Sequence, residues 1–212
     1  MIKITELRNP AAYDERFTVV FEDGRKLKIY PSVVVELGLY PGCMLDEDSM
    51  TRLEEAAGRA NAKARAVRIA SSTSISQKEL RRRLTEKGES SENVAEAVQW
   101  LSDLNLLDDG RTARQLAQSA ARKGYGAARI KQIFYQKGIP RELWDEALSD
   151  LPEPDGAIDR FLESRLRGKT LDQREIKRTV DALMRRGHGW QDIKSALRRY
   201  TDALEDQMED FE

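Results

Sequence analysis

The sequence predicts a mainly α-helical protein: three tandem three-helix repeats in an elongated curved stack, preceded by a small N-terminal extension that contains a β-hairpin. Two patterns predict it. Strand-like alternation ends before Asp48, and an apolar pattern at helical spacing then recurs every 49–50 residues. The composition agrees, because 40% hydrophobic and 34% charged residues in a chain of 212, with a mean hydropathy of −0.65, are typical of a charge-rich globular protein.

The N-terminal extension, residues 1–58, begins with strand-like segments. Apolar and polar residues alternate in Ile2–Leu7 and Arg25–Tyr30, and Arg16–Glu22 is rich in β-branched and aromatic residues. Asp23-Gly24 lies between the second and third segments and tolerates the positive φ of a type I′ turn, which predicts a β-hairpin. Pro31 suits the first turn of a short helix, and Gly38 is placed to end it.

The rest of the chain reads as helices whose pattern repeats. In the order of the three copies, the aligned positions are Leu80, Leu84, Gly88, Val94, Val98 and Leu101; Ile130, Phe134, Gly138, Trp144, Leu148 and Leu151; and Thr179, Leu183, Gly187, Ile193, Leu197 and Tyr200. The third copy departs at Thr179, so we expect Val180 or Ile176 to fill the core there. A unit of about 50 residues buries little apolar surface alone, which favours stacking on its neighbours.

Local signals predict where the helices begin and end. Ser76 with Glu79, and Asp172 with Glu175, fit capping boxes at helix starts. The aligned glycines stand where a helix ends in a left-handed residue, and Pro140 suits the start of the next helix. We therefore predict these segments: extension 1–58, repeats 59–107, 108–152 and 153–200, and an acidic tail 201–212.

Residue types argue against an enzyme. Cys43 is the only cysteine, which excludes a disulfide within the chain and a thiolate metal cluster. His188, the only histidine, lies between Gly187 and Gly189, and we interpret it as a turn residue because the sequence shows no partner for a zinc site or a Ser-His-Asp triad. Gly124-Tyr125-Gly126 lacks the preceding strand and the Lys-Ser/Thr pair of a phosphate loop. The acidic groups Asp108/Asp109 and Asp46/Glu47/Asp48 could in principle hold a hard cation, but both lie at predicted helix starts, where carboxylates act as caps. We expect no cofactor and no metal. We also expect a cytoplasmic protein, since neither a membrane-length apolar run nor a signal peptide is evident.

Charge is unevenly distributed although the net charge is only −1. Residues 1–58 carry −4 and residues 201–212 carry −6, whereas residues 59–200 hold 29 basic and 20 acidic residues. A basic body between acidic ends indicates a polyanion or an acidic protein as partner, or simply solvated helix surfaces.

The basic residues cluster at places that recur in the repeats. Arg81 and Lys131 occupy aligned positions, so we expect them to lie on one face of the stack. The candidate DNA- or partner-binding residues are Arg81, Arg82, Arg83, Arg122, Lys123, Arg129, Lys131, Lys137, Lys177, Arg178, Arg185 and Arg186. Regularly spaced cations neutralise successive phosphates and release counterions; alternatively, such cations form i,i+4 pairs with neighbouring carboxylates. Tyr125 either stacks on a base or packs against the adjacent helix.

Several segments together resemble the RecX family of bacterial recombination modulators, over roughly residues 59–200. The matching segments are Ile75–Leu80 with Leu84 and Lys87-Gly88, Trp100–Asp109, Lys123–Gly126 with Ile130, Lys137–Ile139, and Leu183–Gly187. Two places depart from the family pattern: Gly110–Ala113, where the family has aromatic residues, and His188, where it has Phe after glycine. The segment 1–58 is similar to an extension that some members carry.

The resemblance implies a regulator of recombination, DNA repair and the SOS response. Members of the family bind the RecA filament on single-stranded DNA and limit its activity, so the implied partners are RecA and single- and double-stranded DNA, bound weakly and without sequence preference. We expect a monomer whose acidic tail masks the basic face. The alternatives are a helical DNA-binding regulator of transcription or packaging, and a helical adaptor with no nucleic-acid contact.

Overall fold

The structure, a computed structural model, describes residues 1–11, 14–151, 155–167 and 172–209. It is mainly helical with a small N-terminal sheet, which confirms the predicted fold class, and it forms two compact units, Met1–Leu107 and Asp108–Glu212. The elements of the first unit are β1 (Ile2–Arg8), β2 (Phe17–Phe21), β3 (Lys26–Ile29), α1 (Pro31–Glu36), β4 (Met44–Leu45), α2 (Glu47–Ser72), α3 (Gln77–Glu86) and α4 (Ser91–Asp103). The elements of the second unit are α5 (Asp109–Arg122), α6 (Ala127–Lys137), a 3₁₀ turn (Arg141–Leu143), α7 (Trp144–Ser149), α8 (Asp155–Leu166), α9 (Gln173–Arg185) and α10 (Trp190–Glu209).

The sheet has the strand order β3-β2-β1-β4, and all its pairings are antiparallel. The hairpin joins β2 to β3 as predicted, but its turn is not type I′. Gly24 alone has positive φ there (83°), Gly24 N donates to Phe21 O at 3.0 Å, and Phe21 N donates to Arg25 O at 2.9 Å. The loop is therefore a type I turn followed by a left-handed glycine, the usual three-residue hairpin connection. The two-residue strand β4 gives no alternating pattern long enough to be predicted.

Helix α2 belongs to both halves of the first unit. Its N-terminus is capped by Asp46, whose carboxylate accepts a hydrogen bond from Ser49 N at 2.8 Å. Leu53 and Ala57 pack in the core under the sheet, whereas Ala62 and Ala66 pack against α3 and α4. The boundary predicted between residues 58 and 59 thus falls inside a continuous helix, where its contacts change from one core to the next.

The aligned apolar positions of the repeats lie in the helical cores. Those of the first copy are buried with α2, and in the second copy Phe134 meets Trp144 with ring centroids 5.9 Å apart. Of the two residues expected to fill the core of the third copy, Val180 packs against it, but it does not replace Thr179. Thr179 is itself fully buried, and its hydroxyl donates to Glu175 O at 2.8 Å, which satisfies the polar group without a change of position.

The predicted helix ends are confirmed. Ser76 Oγ accepts from Glu79 N at 3.1 Å, and the Asp172 carboxylate accepts from Glu175 N at 2.7 Å. The three aligned glycines have φ of 84°, 69° and 88° at positions 88, 138 and 187. Within the described part of the chain, no helix combines the length and apolar character needed to cross a bilayer.

Candidate functional site

Two glycine-containing turns of the second unit lie against each other. The α5–α6 turn contains Gly124 and Gly126, and the α9–α10 turn contains Gly187 and Gly189. Gly126 N donates to Arg186 O at 2.9 Å, and Ala128 N donates to Gly187 O at 3.1 Å. Gly126 has no side chain to cap α6, and carbonyl groups about 60 residues away instead accept from two amides at the start of this helix, those of Gly126 and Ala128.

The approach of the two turns leaves no room for a side chain at either glycine. A Cβ on Gly126 would lie 2.3 Å from Gly187 O, and a Cβ on Gly187 would lie 2.3 Å from Arg129 N. Gly187 also has φ of 88°, a conformation that other residues adopt only at a cost. These contacts fix the second repeat against the third at one point.

His188 is buried beneath this contact. Only 5% of its surface is exposed, and its Nε2 lies 3.1 Å from Gly124 O. A carbonyl oxygen only accepts hydrogen bonds, so Nε2 carries the proton and donates. Burial lowers the pKa of His188, which keeps the ring neutral, and Nδ1 is buried with no hydrogen-bond partner among the described residues. As the sequence suggested, this histidine is a packed turn residue.

The side chain of Arg186 forms a further contact between the same two turns. Its Nη1 donates to Lys123 O at 3.2 Å, and its guanidinium carbon lies 4.8 Å from the centroid of the Phe161 ring. The planar cation thus spans a carbonyl on one turn and an aromatic face on α8. Arg186 therefore stabilises the contact between the turns and also adds a positive charge beside them.

Five of the predicted cations come together around these turns, and we call this cluster the basic junction: Arg122, Lys123, Arg129, Arg185 and Arg186. The side chains of Arg122, Lys123 and Arg185 are exposed and have no ion-pair partner among the described residues. Arg129 donates to Gln132 and lies 5.9 Å from the centroid of the Tyr125 ring. Tyr125 is half-buried against the core of the second repeat, which fits the packing role.

The other predicted cations of the second unit lie along its helices. Lys131 is 3.7 Å from Asp145, and Arg178 is 3.6 Å from Glu175. Lys137 is exposed in the last turn of α6. Lys177 is exposed, with no ion-pair partner in the described part of the chain.

The three arginines of α3, in the first unit, differ in the ion pairs that they form with carboxylates of the same helix. Arg82 and Arg83 form ion pairs with Glu79 at 2.7 and 2.9 Å, and Arg82 also pairs with Glu86. Hydrogen bonds from Arg82 first, then Arg83, lower the pKa of Glu79 to about 2. Arg81 is exposed without an ion-pair partner among the described residues, so it is the most available of the three for a ligand.

Sequence reasoning missed two features of this region. One is the pairing of two Gly-x-Gly turns, although both motifs, Gly124-Tyr125-Gly126 and Gly187-His188-Gly189, were visible in the sequence. The other is Trp190, which begins α10 next to the junction with 53% of its surface exposed. Among the described residues, no group of three or more His, Cys, Asp or Glu side chains is arranged to hold a metal ion.

The sequence and the structure were compared with known proteins. The family model for the second three-helix domain of RecX matches residues 108–148, which contain α5, α6 and all but the last residue of α7. The regulatory protein RecX of Escherichia coli (strain SMS-3-5 / SECEC) is 32% identical over 150 residues, covering 65% of this chain and 90% of that protein; the protein of strain 55989 / EAEC gives the same values.

Two solved structures share the fold. A crystal structure of regulatory protein RecX superposes with a TM-score of 0.71 at 21% identity, covering 93% of this chain and 100% of that one. RecX from Lactobacillus salivarius gives a TM-score of 0.60 at 18% identity, covering 68% of this chain and 97% of that one. The relatives matched over nine-tenths of their length show that this chain belongs to the RecX family of regulatory proteins.

Proposed function

We propose that this protein regulates homologous recombination and DNA repair by binding the RecA filament and its DNA, and that it inhibits the recombinase. The observation that carries the proposal is the basic junction, where exposed cations from α5 and α9 meet on a backbone held by inter-turn hydrogen bonds. Membership of a family of regulatory proteins supports the role.

The chemistry of the basic junction suits a phosphate backbone. Arg122, Lys123 and Arg185 need not break an ion pair with a described residue before they bind an anion. Phosphate contacts of this kind position a protein without reading sequence, and their strength falls with salt because bound counterions are released.

The DNA-binding part is tested by the salt dependence of binding to single-stranded DNA. Replacing Arg122, Lys123 and Arg185 with Ala should weaken binding at low salt. It should also make the negative slope of log K against log salt shallower by about 0.7 for each phosphate that the variant no longer neutralises. Arg111→Ala is the matched control, because Arg111 is an exposed arginine of the same unit that lies 3.9 Å from Asp108. Equal effects of both changes would refute the assignment, and strong preference for one sequence would favour a transcriptional regulator.

The RecA-binding part is tested by adding the protein to a preformed RecA filament on single-stranded DNA. We expect ATP hydrolysis to fall and the filament to shorten at stoichiometric protein, and the triple Ala variant to be less effective. No change in either measurement would refute the proposed inhibition of RecA.

A further inference from the structure

A cavity of about 610 Å³ opens between the second and third repeats, next to the basic junction. Apolar side chains form much of its wall: Tyr125, Ile130, Leu148 and Leu151. Its volume falls in the range of about 300–1,000 Å³ that ligand pockets occupy. It is large enough to take an aromatic side chain together with its neighbours.

Two arginines border this cavity. Arg122 and Arg160 are exposed on α5 and α8, and neither has an ion-pair partner among the described residues. Asp192 is the acidic residue among the described lining residues, and its carboxylate lies close to Gly189 at the start of its own helix. An apolar pocket flanked by available cations fits an acidic peptide with one apolar anchor.

Helix N-termini add to the positive potential of the cavity. Its lining includes Gly126 and Ala127 at the start of α6, Gly156 and Ala157 at the start of α8, and Gly189 at the start of α10. The aligned peptide dipoles place a partial positive charge at each of these ends. Their contribution and that of the arginines have the same sign.

The C-terminal sequence of this chain has the matching chemistry. Residues 201–212 contain six acidic residues and no basic one. The last four, Glu209-Asp210-Phe211-Glu212, place a single aromatic residue between carboxylates. This is an acidic peptide with an apolar anchor.

The length of α10 decides which chain can supply this segment. The helix begins beside the cavity and continues to Glu209, which at about 1.5 Å per residue carries its end about 30 Å away. Phe211 follows two residues later, and two extended residues reach only about 7 Å. The segment therefore does not return to the cavity of its own chain while α10 remains helical.

We propose that the cavity binds the C-terminal segment of a second copy of this protein, with Phe211 of one copy inserted among the apolar side chains and its acidic neighbours beside Arg122 and Arg160. Because each copy has one cavity and one C-terminal segment, the contact between copies is head-to-tail. Because the tail then lies next to the basic junction, self-association competes with anion binding there. The monomer expected from the sequence would be the form at low concentration or high salt.

The test is sedimentation velocity of the full-length protein over a range of concentrations at low salt. The average mass should rise above 24.2 kDa with concentration, and Phe211→Ala and Arg160→Glu should each hold the protein at the monomer mass. Arg165→Glu makes the same charge change at an exposed position of α8 that is not among the cavity residues, so it should associate like the unchanged protein. Circular dichroism verifies that each variant is folded.

Mixing the two defective variants separates contact between copies from contact within one copy. Arg160→Glu retains a sound tail and Phe211→Ala retains a sound cavity, so their mixture should form heterodimers although neither variant associates alone. An unchanged protein that stays monomeric, an Arg165→Glu effect equal to that of Arg160→Glu, or a mixture that stays monomeric would overturn the proposal. None of these outcomes involves RecA or DNA, so the proposed function is judged separately.

Discussion

His188 shows how one buried residue links stability to pH. Its ring is neutral, donates through Nε2 to Gly124 O, and has a pKa lowered by burial. The unfolded chain therefore takes up a proton at higher pH than the folded one, and the stabilisation is present above the unfolded pKa of about 6.5 and is lost as pH falls below it.

We expect His188→Gln to reduce this loss, because an amide nitrogen replaces the Nε2 donor without a titrating group. Urea unfolding between neutral and mildly acidic pH measures it: the unchanged protein should lose more stability than the variant as pH falls. Parallel curves for the two proteins would contradict the assignment of the buried neutral histidine.

Gly126 has a backbone conformation that any residue adopts, so its requirement for glycine comes from the neighbouring turn. Gly126→Ala places a methyl group 2.3 Å from Gly187 O, and we expect it to lower the free energy of unfolding by about 1–3 kcal/mol, the usual cost of overpacking. Chemical denaturation measures the change.

Gly156→Ala is the matched control for Gly126→Ala. Gly156 lies in α8, and an added Cβ would meet only the end of the Arg160 side chain, at 3.6 Å. Because Ala is the better helix former, this change should leave stability equal or raise it by up to about 1 kcal/mol. Equal destabilisation by both changes would mean that the docking of the turns does not set the requirement at position 126.

At the scale of the elements, local signals make helix boundaries predictable. Ser76 is 1% exposed and its hydroxyl accepts from Glu79 N, so Ser76→Ala removes the partner of a first-turn amide of α3. We expect a loss of about 1 kcal/mol in the free energy of unfolding. Ser71→Ala, at an exposed position near the end of α2, should change little, and an equal loss there would show that the cap is not the cause.

The repeat pattern is also predictable from local signals, because the helical period of 3.6 residues and the helix caps both depend on residues that are close in sequence. Spacing alone predicts that Leu80, Leu84 and Leu101 lie in a core, and all three are fully buried. Thr179 lies at an aligned position and is buried too, but its polar residue type argues against a core role, because the hydrogen bond that satisfies its hydroxyl is seen only in the structure.

Contacts between distant elements were beyond sequence reasoning. In the basic junction, residues about 60 positions apart are joined by backbone hydrogen bonds, which no residue type signals. The sequence shows only the glycines that allow the two turns to come close together. The ion pairs of Arg82 and Arg83 within α3 are a different case, because they are the i,i+3 and i,i+4 pairs that the sequence offers as an alternative to ligand binding.

At the scale of the whole molecule, the cores are divided between the two units. Among the described residues, the core under the sheet and the core of the first repeat contain residues up to Leu107, and the cores of the second and third repeats contain residues from Ala113 onward. A unit that contains its own hydrophobic cores has the main requirement for folding alone.

We therefore expect residues 1–107 and residues 108–212, expressed separately, each to give a helical circular dichroism spectrum and a cooperative urea transition. The fragment of residues 108–212 contains the whole basic junction, so it should also retain most of the salt-dependent binding to single-stranded DNA. The fragment of residues 1–107 should retain only the part due to α3.

Cutting the chain after residue 137, between α6 and the 3₁₀ turn, is the control. This cut divides the core in which Phe134 meets Trp144, so the fragments on either side of it should not unfold cooperatively in that region. If the fragment of residues 108–212 lacks a cooperative transition, stability depends on the intact chain; if it folds but does not bind DNA, the basic junction is not the main nucleic-acid surface.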